Sequence, residues 1–216
     1  MLTDRQPTES SPEIPQPDTE TLILRAAERE FLTKGFDGAR TTAIAENAGV
    51  THAMLHYYFR TKENLFDRVL GDKSSQMRGL MFTLIDNADI PLLQRIELGM
   101  RRHFDFLRNN PELPLFLINE IRRKESKALK HLLLNREPAR RIRHALQEAI
   151  NQGADRGECR RINAEMLLID IFSLNMAPFI ISPMLHIGFD ILNDREAFLD
   201  ARIDENVTTI LNKLRP

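Results

Sequence analysis

Residues 41–66, TTAIAENAGVTHAMLHYYFRTKENLF, restrict the fold more than any other stretch of the chain. Ile44, Ala45 and Ala48 place small and apolar side chains on one face of a short helix. Gly49 follows where a helix ends in a left-handed residue, a conformation only glycine adopts without steric cost. Thr51 can then accept the free amides of a second helix as its N-cap, and Leu55 and Phe59, four apart, give that helix a buried face. Ala45, four residues before Gly49, lets two helices cross closely at a steep angle. The spacing predicts a helix-turn-helix, whose second helix enters a DNA major groove.

The outward residues of that helix separate a nucleic-acid reader from a plain helical corner. Thr51, His52, Ala53, His56, Tyr57 and Tyr58 are small, hydroxyl, imidazole or phenol groups, with no acid among them. Such a face can approach phosphates, and its hydroxyl tips can donate to phosphate oxygens. Thr61 can cap the next helix, with Lys62 in its first turn as a phosphate clamp. The predicted contacts are Thr41, Thr42, Thr51, Tyr57, Tyr58 and Lys62 to phosphates, with His52, Ala53 and His56 nearest base edges.

Two pieces, ILRAAEREFLTKGFDGARTTAIAENAGV and MLHYYFRTKENLF with its Phe-x-Thr-Lys-Glu run at Phe59–Glu63, resemble the N-terminal domain of tetracycline-repressor (TetR/AcrR-like) transcriptional regulators. The resemblance covers Thr21 to Leu70. It implies an all-helical homodimer that binds a palindromic operator, most often as a repressor, and releases it when a small molecule enters the C-terminal domain. His56 stands where that family usually has tyrosine, and Tyr58 where histidine is frequent, so base preference is not carried over.

The resulting expectation is an all-α chain. Residues 1–17, rich in proline, form a disordered tail; 18–66 form a three-helix helix-turn-helix domain; and 67–216 form a continuous helical ligand-binding and dimerisation domain. Asp18 or Thr19 opens the first helix, Gly35 ends it, and Phe36 packs back over the turn. The helix from Thr61 runs to about Ile85 as a lever. Further helices are expected from Pro91, from Glu112, over 126–152, from Asn163 with a bend near Pro178, and from Asp194, with a loop over 153–161 and irregular chain over 183–193.

The helices near 163–181 and 194–214 carry apolar residues on more than one face. This is compatible with the dimer interface the family implies. Phe104, Leu107, Phe116, Ile142, Phe172, Met176 and Phe179 could line an apolar cavity for the effector, or simply form core. Asp170, Ser173 and Asn175 sit unusually within an apolar stretch, where they could orient a ligand, bond across a dimer seam or satisfy one another.

Charge argues less clearly. The net charge is −1 over 216 residues. From Asp18 to Gly71 the bases Arg25, Arg29, Lys34, Arg40, Arg60, Lys62 and Arg68 are outnumbered by one by Asp18, Glu20, Glu28, Glu30, Asp37, Glu46, Glu63 and Asp67. Only the local placement of Arg40, Arg60 and Lys62 beside the reading helix favours DNA.

An enzyme is the competing class. His52 and His56 lack a third metal ligand, His103 and Asp105 point to different helix faces, and the only cysteine, Cys159, sits in a polar loop without a histidine. No nucleophile elbow or phosphate loop is present. Neither catalysis, a metal nor a cofactor is expected. The single cysteine, the absence of a secretory signal and apolar runs too short for a bilayer point to the cytoplasm.

Overall fold

The computed structural model describes residues 18–82, 89–122, 137–182, 184, 185 and 194–216. The expected tail at 1–17 and most of the irregular stretch at 183–193 lie outside the described residues. Every regular element among the described residues is an α-helix. In chain order they are α1 (Thr19–Gly38), α2 (Thr41–Asn47), α3 (His52–Phe59), α4 (Lys62–Phe82), α5 (Leu92–Arg108), α6 (Leu113–Arg122), α7 (Glu137–Asp155), α8 (Ala164–Ile180) and α9 (Arg195–Leu214).

The helix starts follow from short polar side chains that accept first-turn amides. Asp18 Oδ1 accepts from the Thr21 amide at 2.8 Å, Asn163 Oδ1 from Glu165 and Met166, and Asp194 Oδ1 from Ala197. Inside α1, Gly35 takes φ 69° and ψ 175°, so the helix kinks there and Phe36 folds back toward Phe31 and Phe66.

Two apolar cores result. The first joins Ile23, Phe31, Ile44, Leu55, Leu65 and Phe66, but also Leu113 and Phe116 from α6. The second joins α5, α7, α8 and α9 through Ile96, Met100, Phe104, Leu146, Ile171 and Ile203, among others. No gap separates the two: α4 runs unbroken through residues 66 and 67, and Val69 and Leu70 still belong to the first core.

Gly153 is helical rather than part of a loop. A Cβ there would lie 3.0 Å from Cys159 Sγ, so the glycine permits close packing that sequence spacing does not reveal. Cys159 is accordingly buried, its thiol donates to the Ile150 carbonyl at 3.6 Å, and burial pushes its pKa up. α9 is amphipathic rather than apolar all round: Leu199, Ile203, Val207 and Ile210 face the core, while Asp200, Asp204, Thr208 and Asn212 face outward.

The polar residues inside α8 are mostly satisfied within the chain. Asp170 pairs with Lys213 on α9. Asn175, fully buried, donates to the Met100 carbonyl at 2.9 Å and to His103 Nδ1 at 3.2 Å, and accepts from Asn206 at 3.0 Å. Asn206 also donates to the Leu174 carbonyl at 3.0 Å. That carbonyl is the one left without its usual donor by Pro178, four residues on, which explains how α8 continues through the proline to Ile180.

Because Asn175 donates to Nδ1, His103 carries its proton on Nε2, which is buried without a hydrogen-bond partner. Burial pushes the imidazole down to about 4, from an ordinary value near 6.5. The neutral form is therefore favoured in the folded state. Its contribution to stability is complete above pH 6.5 and is lost progressively as pH falls from 6.5 toward 4, by roughly 3 kcal/mol in total. Urea unfolding as a function of pH should show this slope, and His103→Gln should flatten it.

Candidate DNA-reading helix

The turn between α2 and α3 is closed by two backbone bonds, from Gly49 N to the Glu46 carbonyl and from Val50 N to the Ala45 carbonyl, each 3.0 Å. That pair of bonds closes a helix C-terminus around a left-handed residue. Gly49 supplies it with φ +69°. Thr51 then caps α3, its hydroxyl accepting from the Met54 amide at 3.2 Å. A further tie crosses the turn, with Thr41 Oγ1 and His52 Nε2 3.0 Å apart.

α3 rests on the first core through Leu55 and Phe59 alone. Its other side chains face outward: Thr51, His52, Ala53, His56, Tyr57 and Tyr58 are all exposed, Tyr57 by 82% and Tyr58 by 42%. Six of the nine predicted residues are thus exposed on α3 or at its cap, Thr42 is exposed on α2, and Tyr58 also lines a hollow with Glu20, Asp67 and Arg68. Met54, 41% exposed, shares that surface and was not singled out by sequence. Its apolar type gave no signal of a polar interface.

Lys62 opens α4, where the Thr61 hydroxyl accepts from the Asn64 amide at 3.1 Å. Its ammonium lies 4.7 Å above the Phe36 ring and donates to the Asp37 carbonyl at 3.4 Å. These contacts hold a cation at the corner of the reading face. Several other charges are paired with one another: Lys34 with buried Glu30, Arg68 with Glu20 and Asp72, and Lys73 with Glu28. Glu30 also accepts from the Arg40 amide at 3.2 Å, placing its carboxylate at the start of α2.

The predicted cavity residues do not form one group. Phe104, Leu107 and Phe179 lie together in the second core, Phe104 and Phe179 with ring centroids 5.4 Å apart. Phe116 belongs to the first core, and Ile142 is buried on α7. Phe172 stands edge-on to His103 at 5.1 Å, and Met176 is partly buried beside the second core. Phe116 and Phe179 do line a cleft of about 740 Å³ between the Gly35 corner of α1 and helices α6, α8 and α9, together with Leu32, Arg108, Glu120 and Phe198. Glu120, buried, accepts from the Phe36 amide at 3.3 Å and so ties α6 to that corner.

Residues 23–69 match the sequence model of the tetR family of bacterial regulatory proteins. A Bacillus subtilis (strain 168) protein described as an uncharacterized HTH-type transcriptional regulator, YdgC, is 30% identical over 96 residues, covering 42% of this chain and 48% of that one. The HTH-type transcriptional repressor BepR of Brucella suis biovar 1 (strain 1330) is 37% identical over 54 residues, 25% of this chain and 26% of its own. The chain thus spans less than half the length of either relative.

Solved structures extend the likeness to the whole fold. A TetR/AcrR-family regulator from Thermobifida fusca aligns over 91% of this chain and 98% of its own, with TM-score 0.64 at 16% identity. The TetR-family regulator PfmR from Thermus thermophilus aligns over 73% and 84%, with TM-score 0.57 at 17% identity.

Two substitutions test the corner. Gly49→Ala has open space for its methyl, so its cost is conformational, about 1–2 kcal/mol. Thr51→Ala removes the cap and should cost about 1 kcal/mol. Both should appear as lowered urea midpoints with unchanged slopes. The corner at residues 23–69 therefore matches the tetR family of bacterial regulatory proteins, and the helical fold of the rest resembles that of solved TetR-family structures.

Proposed function

We propose that the protein is a ligand-responsive transcriptional regulator, acting as a repressor that binds a palindromic operator as a homodimer. The observation that carries this is the acid-free outward face of α3, held on a capped, glycine-closed corner with Lys62 beside it. A rod supported along one side by Leu55 and Phe59 and bare along the other has the shape a major groove admits. On this reading residues 18–66 form the DNA-binding unit and 67–216 the ligand-binding and dimerisation body. Thr41, Thr42, Thr51, Tyr57, Tyr58 and Lys62 meet phosphates, and His52, Ala53 and His56 lie nearest the bases.

Pairing through α8 and α9 is supported by apolar side chains left uncovered on or just after α8: Met166 (55% exposed), Ile169 (51%) and Met184 (71%). Ligand response is supported by the cleft whose walls include both α6 and the Gly35 corner. A molecule that displaced α6 would pull on the Glu120–Phe36 bond and on the Phe66–Phe116 contact, with centroids 6.0 Å apart. The reading helices of the two subunits would then change separation, with a coupling of about 1–3 kcal/mol.

Fluorescence anisotropy with duplex DNA from upstream of the protein's own gene, against a scrambled duplex at matched salt, tests the reading. Preferential binding to the natural duplex is expected, and equal binding to both would contradict it. Lys62→Ala should weaken binding to all sequences alike and lower the salt dependence by about one ion. A folded Tyr57→Ala, Lys62→Ala double variant that bound unchanged would show the contact assignment to be wrong.

A further inference from the structure

The turn that ends the reading helix is strained. Arg60 has φ 58° and ψ −50°, the only positive φ outside glycine among the described residues. The Thr61 amide donates across it to the Phe59 carbonyl at 2.6 Å, closing a three-residue turn of the rare type with a positive central φ. Strain of this kind persists only where its surroundings enforce it, and it gathers at functional sites. Here its consequence is specific: the Arg60 carbonyl turns back toward α3 and lies 2.9 Å from His56 Nδ1.

A carbonyl oxygen can only accept, so Nδ1 of His56 carries the proton. In a neutral imidazole the other nitrogen, Nε2, is then an acceptor. No described residue bonds to that nitrogen, and the side chain is exposed on the reading face. The neighbouring imidazole differs, because His52 already uses its Nε2 on Thr41. The two rings stand edge-on at 87° with centroids 4.4 Å apart, which restricts the swing of His56.

We infer that His56 is a specificity-determining residue whose Nε2 accepts a hydrogen bond from the exocyclic amino group of adenine or cytosine, with the Arg60 turn as the positioning device that fixes its tautomer. The inference rests on the DNA-reading function proposed above. In the major groove adenine and cytosine present an amino donor, whereas guanine presents only acceptors and thymine an acceptor and a methyl. An acceptor at Nε2 meets a donor on the first two bases and a facing lone pair on the others. An imidazolium, donating from both nitrogens, would favour guanine instead.

Selection from a randomised duplex pool at pH 8, with the full chain and with His56→Ala, tests this. The natural chain should enrich one base pair at a symmetric pair of positions, and His56→Ala should lose that preference alone. Replacing the adenine there by purine, or the cytosine by 2-pyrimidinone, removes the amino group. It should weaken binding by the natural chain about tenfold and leave His56→Ala unmoved.

Long-range ¹⁵N–¹H spectra should show His56 protonated on Nδ1. In Arg60→Pro, which cannot take a positive φ, the two tautomers should mix. Unchanged binding by the natural chain after the amino group is removed, or a His56 proton found on Nε2, would overturn the inference. Enrichment of the same sequence by both proteins would overturn it while leaving the regulatory function standing. Enrichment of no sequence by either would overturn both.

Discussion

The Gly35 kink and the aromatic side chains gathered on it determine where everything else sits. Phe36, folded back by the kink, stacks on Phe31 and meets Phe66 edge-on at 4.9 Å, and Phe66 in turn meets Phe116 of α6. Three helices are thereby fixed relative to one corner. Two buried carboxylates hold the same corner by its amides, Glu30 at Arg40 and Glu120 at Phe36. Paired buried groups of this kind rigidify when satisfied and are costly when one partner is removed. The reading helix inherits its position from this arrangement, because its own buried contacts are few.

The same corner joins the two halves of the molecule. α6 contributes Leu113 and Phe116 to the first core while its neighbour α5 belongs to the second. Lys73 of α4 reinforces the junction, pairing with Glu28 of α1 and donating to Asn110 between α5 and α6, each at 2.6 Å. A displacement within the body would therefore have a packed route to the α3 corner. In the body, the Asn175–Asn206–His103 network pins α5, α8 and α9 to one another.

Local chemistry made much of this legible in the sequence. Gly49, Thr51, Asp18, Asn163 and Asp194 each announce a helix end through a conformation or a hydrogen bond formed within a few residues. The outward set on α3 was readable for the same reason, since helical spacing from Leu55 and Phe59 defines the opposite face. Features depending on distant partners were not readable. Gly153 resembled a loop residue because nothing nearby in sequence says that Cys159 packs on it. Phe116 gave no sign of which core it joins, and Asn175 none that its partners were Met100, His103 and Asn206. The strained turn at Arg60 was invisible because arginine has no preference for a left-handed backbone; tertiary context imposes it.

The proposed function requires α3 to lie in a major groove. Dimethyl sulfate interference on the upstream duplex tests it directly, because methylation of guanine N7 blocks the major groove and methylation of adenine N3 the minor. Major-groove methylation should abolish binding at two patches related by twofold symmetry and separated by about one or more helical turns. Interference confined to the minor groove, or to a single patch, would contradict it.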